Sequence, residues 1–145
     1  TVLERTNFRH LEFERIGHKV DLVVIDASFI SLNLILPKAL EFLKVGGRIL
    51  ALVKPQFEAG VAEVGKRGLV NNEEIHSRIL KQLNELATKL QLVILGQMES
   101  VIKGKKSGNR EFFIYLQLQQ DSVSPLQRAN VDDPGTLQCE EIHSR

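Results

Sequence analysis

Three residues of this chain have the types and settings that acid–base chemistry uses. Residues 51–60 read ALVKPQFEAG, an apolar run that stops on Lys54 and a proline. Residues 20–26 read VDLVVID and stop on Asp26, while Glu111 follows a Gly-Asn-Arg turn and opens the run EFFIYLQL. One base is thus set with two acids. Neighbouring carboxylates hold an ammonium in place, whereas burial favours the neutral amine. A lysine under both influences can take a proton or steady a developing anion. Asp26 beside Lys54 is also readable as a plain ion pair, which contributes little at a surface. Glu111 as a second acid is what turns the arrangement toward a site.

The elements that position these residues follow from the apolar pattern. The run at 20–26, nearly all apolar and β-branched, is expected to be a central parallel strand buried on both faces. A short crossover helix follows, with Leu34, Leu36, Leu40 and Leu43 as its apolar positions, Pro37 near its start and Gly46-Gly47 as its stop. RILALVK at 48–54 is a second strand, so the three elements form a right-handed βαβ unit. Asp26 and Lys54 then fall at the carboxyl ends of neighbouring parallel strands, where open α/β sheets bind ligands. Residues 55–70 form a long loop with three glycines and no clear period. Asn71 with Glu74 suits a capping box for a helix whose stripe is Ile75, Ile79, Leu83, Leu86 and Leu90. LQLVILGQM at 90–98 is a third strand, 101–109 is a basic glycine-containing loop, and 110–118 is a bulky, alternating fourth strand. The last two strands are expected to pair as an antiparallel hairpin at the sheet edge.

The whole composition adds exclusions. The chain has 145 residues, 43% hydrophobic and 26% charged, with a net charge of +1. That is an ordinary globular balance with no global signal for nucleic acid or membrane, so a basic patch must be local. No apolar run approaches the roughly 20 residues of a membrane span. The single cysteine, Cys139, excludes an internal disulfide and makes a reducing, cytoplasmic setting the default. Cys139 and His143 lie four apart, which alone does not make a metal pair, and no metal is expected. After Gln119 the period is lost and two prolines intervene, so 119–145 is expected to be a disordered tail. The opening TVLERTNFRHL reads like the middle of a domain, an expectation that the chain is a piece cut at its N-terminus.

Four blocks in order, VDLVVIDASFISL, ALVKPQFEAG, EVGKRGLV and GNREFFIYL, resemble the TlyA, or hemolysin A, branch of the FtsJ-like ribosomal RNA 2′-O-methyltransferases. The resemblance runs from about Val2 to Leu118 and leaves the tail out. It implies an α/β fold: a Rossmann-like methyltransferase sheet, incomplete at its N-terminus over residues 1–118, with a C-terminal antiparallel hairpin. It also implies S-adenosylmethionine as cofactor and ribosomal RNA or a ribosomal subunit as partner. Of the family's Lys-Asp-Lys-Glu tetrad, the aspartate matches Asp26, the second lysine Lys54 and the glutamate Glu111. The first lysine and the glycine-rich loop that holds the cofactor's methionine portion have no match in these residues. Asn7 and Phe8 match the segment that holds the adenine, with an amide for the base edge and a ring to stack; a loop Asn and a core Phe would look the same. Asp26 and the backbone after it are expected to line the cofactor pocket as well.

For the RNA side the expectation is a basic rim made by Lys66, Arg67, Lys103, Lys105, Lys106 and Arg110, in two loops at one sheet edge. Phe57 is placed either to stack on a base or to pack under its loop. The competing class is a non-catalytic RNA- or ribosome-binding module, against which the lysine between two acids argues. A membrane-lytic function has no support in the periodicity, because the one clear amphipathic helix carries mixed charge on its polar face.

Overall fold

The computed structural model describes residues 2–102, 104 and 108–119. The expected disordered tail from residue 120 on, with Cys139 and His143, lies outside them, as do Lys103, Lys105 and Lys106. Two short 3₁₀ turns, Phe8–His10 and Phe13–Arg15, lead into strand β1, Val20–Ile25. Helix α1, Leu32–Leu40, crosses to β2, Leu43–Val53, and a single helical turn α2, Pro55–Glu58, follows at once. After 3₁₀ turns at Val61–Glu63 and Lys66–Gly68 come α3, Glu73–Lys89, then β3, Leu92–Glu99, and β4, Phe112–Leu118. The sheet order is β1-β2-β4-β3, with β1 parallel to β2 and β4 antiparallel to both its neighbours. The βαβ unit and the terminal hairpin are therefore as the sequence pattern predicts.

Burial is strongly one-sided. Ile25, Ile49, Ala51, Val53, Phe112, Ile114 and Leu116 point from the sheet into a core completed by Leu32, Ile35, Leu36 and Ala39 of α1 and by Ile79, Leu83 and Ala87 of α3. Fully burying each large apolar side chain contributes about 1.5–3 kcal/mol. The opposite face, alternating with the first, carries Leu22 at 51% and Val24 at 65% exposure. The expectation of a central strand buried on both faces is thus corrected. Within the described residues β1 is an edge strand, and its sequence, apolar except for Asp21, covers one packed face and one bare one.

Two local expectations also shift. Leu34 faces solvent while Leu32 and Ile35 are buried, and α1 ends at Leu40 before Leu43 begins β2. Gly46-Gly47 does not stop the helix; it lies inside β2, where the pairing partner jumps from Leu43 for Val20 to Arg48 for Leu22. Gly46 has φ +73°, and a Cβ on Gly47 would stand 2.8 Å from the Lys44 carbonyl. The pair absorbs a bulge that a side chain would obstruct. The helix cap of α3 is Asn72, whose side chain accepts from the Glu74 backbone N–H, in place of Asn71.

Candidate active site

Strand alternation assigns the site before any contact is considered. Val53, Ala51 and Ile49 face the core, so Lys54 belongs to the other face with Leu52 and Leu50. Val24 pairs with Leu50 and Ile25 with Ala51, which carries Asp26 onto that same face just short of Lys54. Val53 pairs with Phe112 in the antiparallel direction, so Glu111 is level with Lys54. Three consecutive registers therefore bring an acid, a base and an acid to one end of one face.

The contacts agree. Lys54 Nζ lies 2.6 Å from Asp26 Oδ1, and it donates to Ser28 Oγ at 3.0 Å. The Lys54 side chain is 13% exposed and that of Asp26 is 68% exposed, so the pair has one buried and one open member. Burial raises the Glu111 carboxyl above its usual range; the Lys54 charge lowers it and the Asp26 charge raises it. Glu111 is thus within the electrostatic reach of both predicted partners. Ser28 was not among the sequence-predicted residues, although its place two residues after Asp26 returns it to the same side of the chain.

A cavity of about 770 Å³ opens beside this cluster, lined among others by Asn7, Phe8, Ser28, Phe29, Ile30 and Phe57. That size suits a small-molecule ligand. Asn7 and Phe8 do border it, but both also have structural duties. The Asn7 Oδ1 accepts from the Arg9 backbone N–H, and the Phe8 ring packs on Phe42 with centroids 5.8 Å apart. The fully open ring is Phe29, 90% exposed and held at φ +65°, whereas Phe57 is half-buried with its ring 5.0 Å from Phe29. Of the two placements open to Phe57, the structure has the packed one.

The predicted basic rim divides. Lys66 and Arg67 are exposed in the turn Lys66–Gly68, and Arg67 has φ +63°. Asn109, fully buried, accepts from the Val70 N–H at 2.8 Å and donates to the Gly68 carbonyl at 2.8 Å, which ties that loop to the one ahead of Glu111. The two loops do meet at one sheet end. Arg110, expected to face phosphates, is instead committed within the protein. It forms a two-bond fork to Glu99, at 2.8 and 2.6 Å, and pairs with Glu73 as well. Among the described residues no group of His, Cys, Asp and Glu is arranged to hold a metal ion, and no helix is long and apolar enough to cross a membrane.

The comparisons with known proteins bear on this geometry. The family model for FtsJ-like methyltransferases matches residues 1–118. The chain is 42% identical over 120 residues to the 16S/23S rRNA (cytidine-2′-O)-methyltransferase TlyA of Mycobacterium tuberculosis strain H37Rv, covering 83% of this chain and 44% of that protein. It is 41% identical over 118 residues to YqxC of Bacillus subtilis, covering 79% of this chain and 41% of that protein. A solved structure from Lactococcus lactis, of a protein designated a hemolysin, superposes with a TM-score of 0.77 at 37% identity, covering 82% of this chain and 57% of that one. The chain spans less than half the length of the curated relatives it matches. Matched along residues 1–118, the whole length over which its sheet and helices are built, the chain belongs to the FtsJ-like methyltransferase family.

Proposed function

We propose that this chain supplies the Asp26, Lys54 and Glu111 part of an S-adenosylmethionine-dependent methyltransferase that acts on a ribose 2′-hydroxyl of ribosomal RNA. The observation that carries the reading is the 2.6 Å Lys54–Asp26 pair at the carboxyl ends of two parallel strands, with Glu111 level beside it. A plain surface ion pair gains nothing from a lysine that is 13% exposed and enclosed by strand ends.

The residues present suit the adenine end of the cofactor. The cavity offers apolar walls from Phe8 and Ile30, the amide of Asn7 and the backbone after Asp26. When bound, S-adenosylmethionine would supply an electrophilic methyl group on a sulfonium. A 2′-hydroxyl is a weak nucleophile, so alignment and removal of its proton are what the protein adds. Lys54 would take that proton or steady the forming alkoxide, with Asp26 and Ser28 fixing its direction. Glu111 would face it from the other side, and both carboxylates suit the neighbourhood of a cationic sulfur. Lys66 and Arg67 offer phosphate contacts, and the open Phe29 ring at the cavity rim offers a stacking face for a base.

The test is Lys54→Ala in a protein that carries this segment together with a glycine-rich cofactor loop. Transfer to ribosomal RNA should be abolished while calorimetry shows cofactor binding within about twofold, the pattern of a group acting on the reacting atoms alone. Retained transfer excludes the role, and RNA binding with no transfer by the unsubstituted protein favours the non-catalytic binding module. For the 145-residue chain alone, whose residues include no such loop, we expect no turnover and weak cofactor binding. Micromolar binding in the calorimeter would contradict that.

A further inference from the structure

We propose that Glu58 is a positioning residue: its carboxylate ties the turn after Lys54 to the first turn of α1, and thereby fixes the Lys54–Asp26 pair. Glu58 closes α2, the helical turn that Lys54 precedes. Its Oε2 accepts from the Ser31 hydroxyl at 2.6 Å and its Oε1 accepts from the Leu32 backbone N–H at 2.8 Å. Ser31 and Leu32 begin α1 just after Asp26 and Ser28. The bonds of Glu58 and those of Lys54 therefore join the same two turns, one set on each side of the strand ends.

Capping α1 is only part of what this carboxylate does: it takes the Leu32 N–H at the helix start, and it also holds the Ser31 hydroxyl. Ser31 already caps the helix by accepting from the Asn33 N–H at 3.1 Å. What Glu58 adds is the bridge from one βα turn to the next, and it does so against a cost. Burial pushes its carboxyl above the ordinary range, a push that its bonds to Ser31 and Leu32 oppose. Lys54 meets the turn that follows it only through its backbone, its carbonyl accepting from the Phe57 N–H at 2.9 Å, and its side chain makes no cap there. The β1–β2 ladder ends at Ile25 and Ala51, so without Glu58 the residues beyond it lose a tie between the two turns and gain room for small backbone shifts. A salt bridge with one open member is sensitive to such shifts because water replaces it readily.

The catalytic consequence rests on the methyltransferase reading, but the positioning does not, and the experiment keeps them apart. In the isotope-labelled chain, the scalar coupling across the hydrogen bond from Lys54 Nζ to the Asp26 carboxylate is measured by NMR, with Lys54 assigned by loss of its signal in Lys54→Arg. The coupling should be present in the unsubstituted chain and in Glu58→Gln, whose amide can accept from Leu32 and donate to the Ser31 oxygen. It should be lost in Glu58→Ala and reduced in Ser31→Ala, which keeps the Leu32 bond; the latter decides if Glu58→Ala does not fold. Coupling unchanged in a folded Glu58→Ala or in Ser31→Ala overturns the proposal, as does its absence in the unsubstituted chain. In an active protein that carries the segment, Glu58→Ala should lower kcat by about tenfold to a hundredfold with KM nearly unchanged, and Glu58→Gln should restore it. The expected coupling pattern in a protein that transfers no methyl group would end the methyltransferase reading and leave the positioning role in place.

Discussion

Lys54 owes its direction to its neighbour. Pro55 disfavours helical backbone in the residue before it, and Lys54 is extended at φ −112° and ψ 101°, so the strand alternation persists one residue past β2. That single residue decides whether the amine meets Asp26 or points into the core. Glu111 gives a pH effect with a definite sign. Its carboxyl is raised in the folded chain, chiefly by burial, so the folded state holds the proton more tightly than the unfolded state. Its contribution to stability is then fullest below the unfolded value and is lost as pH rises through the folded one. Glu111→Gln should therefore raise stability near neutral pH and flatten the stability profile above the usual carboxylate range, as read from urea unfolding across pH.

At the scale of elements, Asn109 does for Glu111 what strand register does for Lys54. Its amide satisfies the Val70 N–H and the Gly68 carbonyl at once, and His76 Nε2 lies 3.1 Å from the Val70 carbonyl, which implies a proton on that nitrogen. Asn109→Ala would leave both backbone groups without that partner at a buried position, a cost of about 1–3 kcal/mol measurable by urea unfolding. A loss below a few tenths would show that the loops do not depend on it. None of this was readable from GNREFF, because an asparagine in a glycine turn is satisfied locally as often as over distance. Arg110 shows the same limit. Its charge is visible in the sequence, but only the convergence of α3 and β3 on the start of β4 brings Glu73 and Glu99 to it. The helix cap moved by one residue, from Asn71 to Asn72, since adjacent asparagines offer the same chemistry and backbone direction chooses between them.

At the scale of the molecule, the sheet has a packed face and a bare face, and substitutions should report the difference. Leu83→Ala, in a fully packed position under the sheet, should cost about 2–5 kcal/mol, whereas Val24→Thr at 65% exposure should change stability by less than about 0.5 kcal/mol in urea unfolding. Equal losses would mean that the face carrying Val24 is covered in solution. The sequence of β1 does not distinguish these faces, because every residue but Asp21 is apolar and Asp21 falls on the side of Ile25, which packs, so alternation gives no usable mark. What the chain determined by itself was local: where apolar runs stop, that Pro55 keeps Lys54 extended, that β1 and β2 run parallel through a helix, and hence that Asp26 and Lys54 share a sheet end. Those follow from backbone sterics and a two-residue period. The tertiary structure alone decided that Ser28 receives Lys54, that Glu58 bridges to Ser31 and Leu32, and that Arg110 is taken by two carboxylates. Each of these partnerships joins residues distant in sequence or on different turns, and which of several equivalent polar groups finds a partner is settled only when packing brings the segments together.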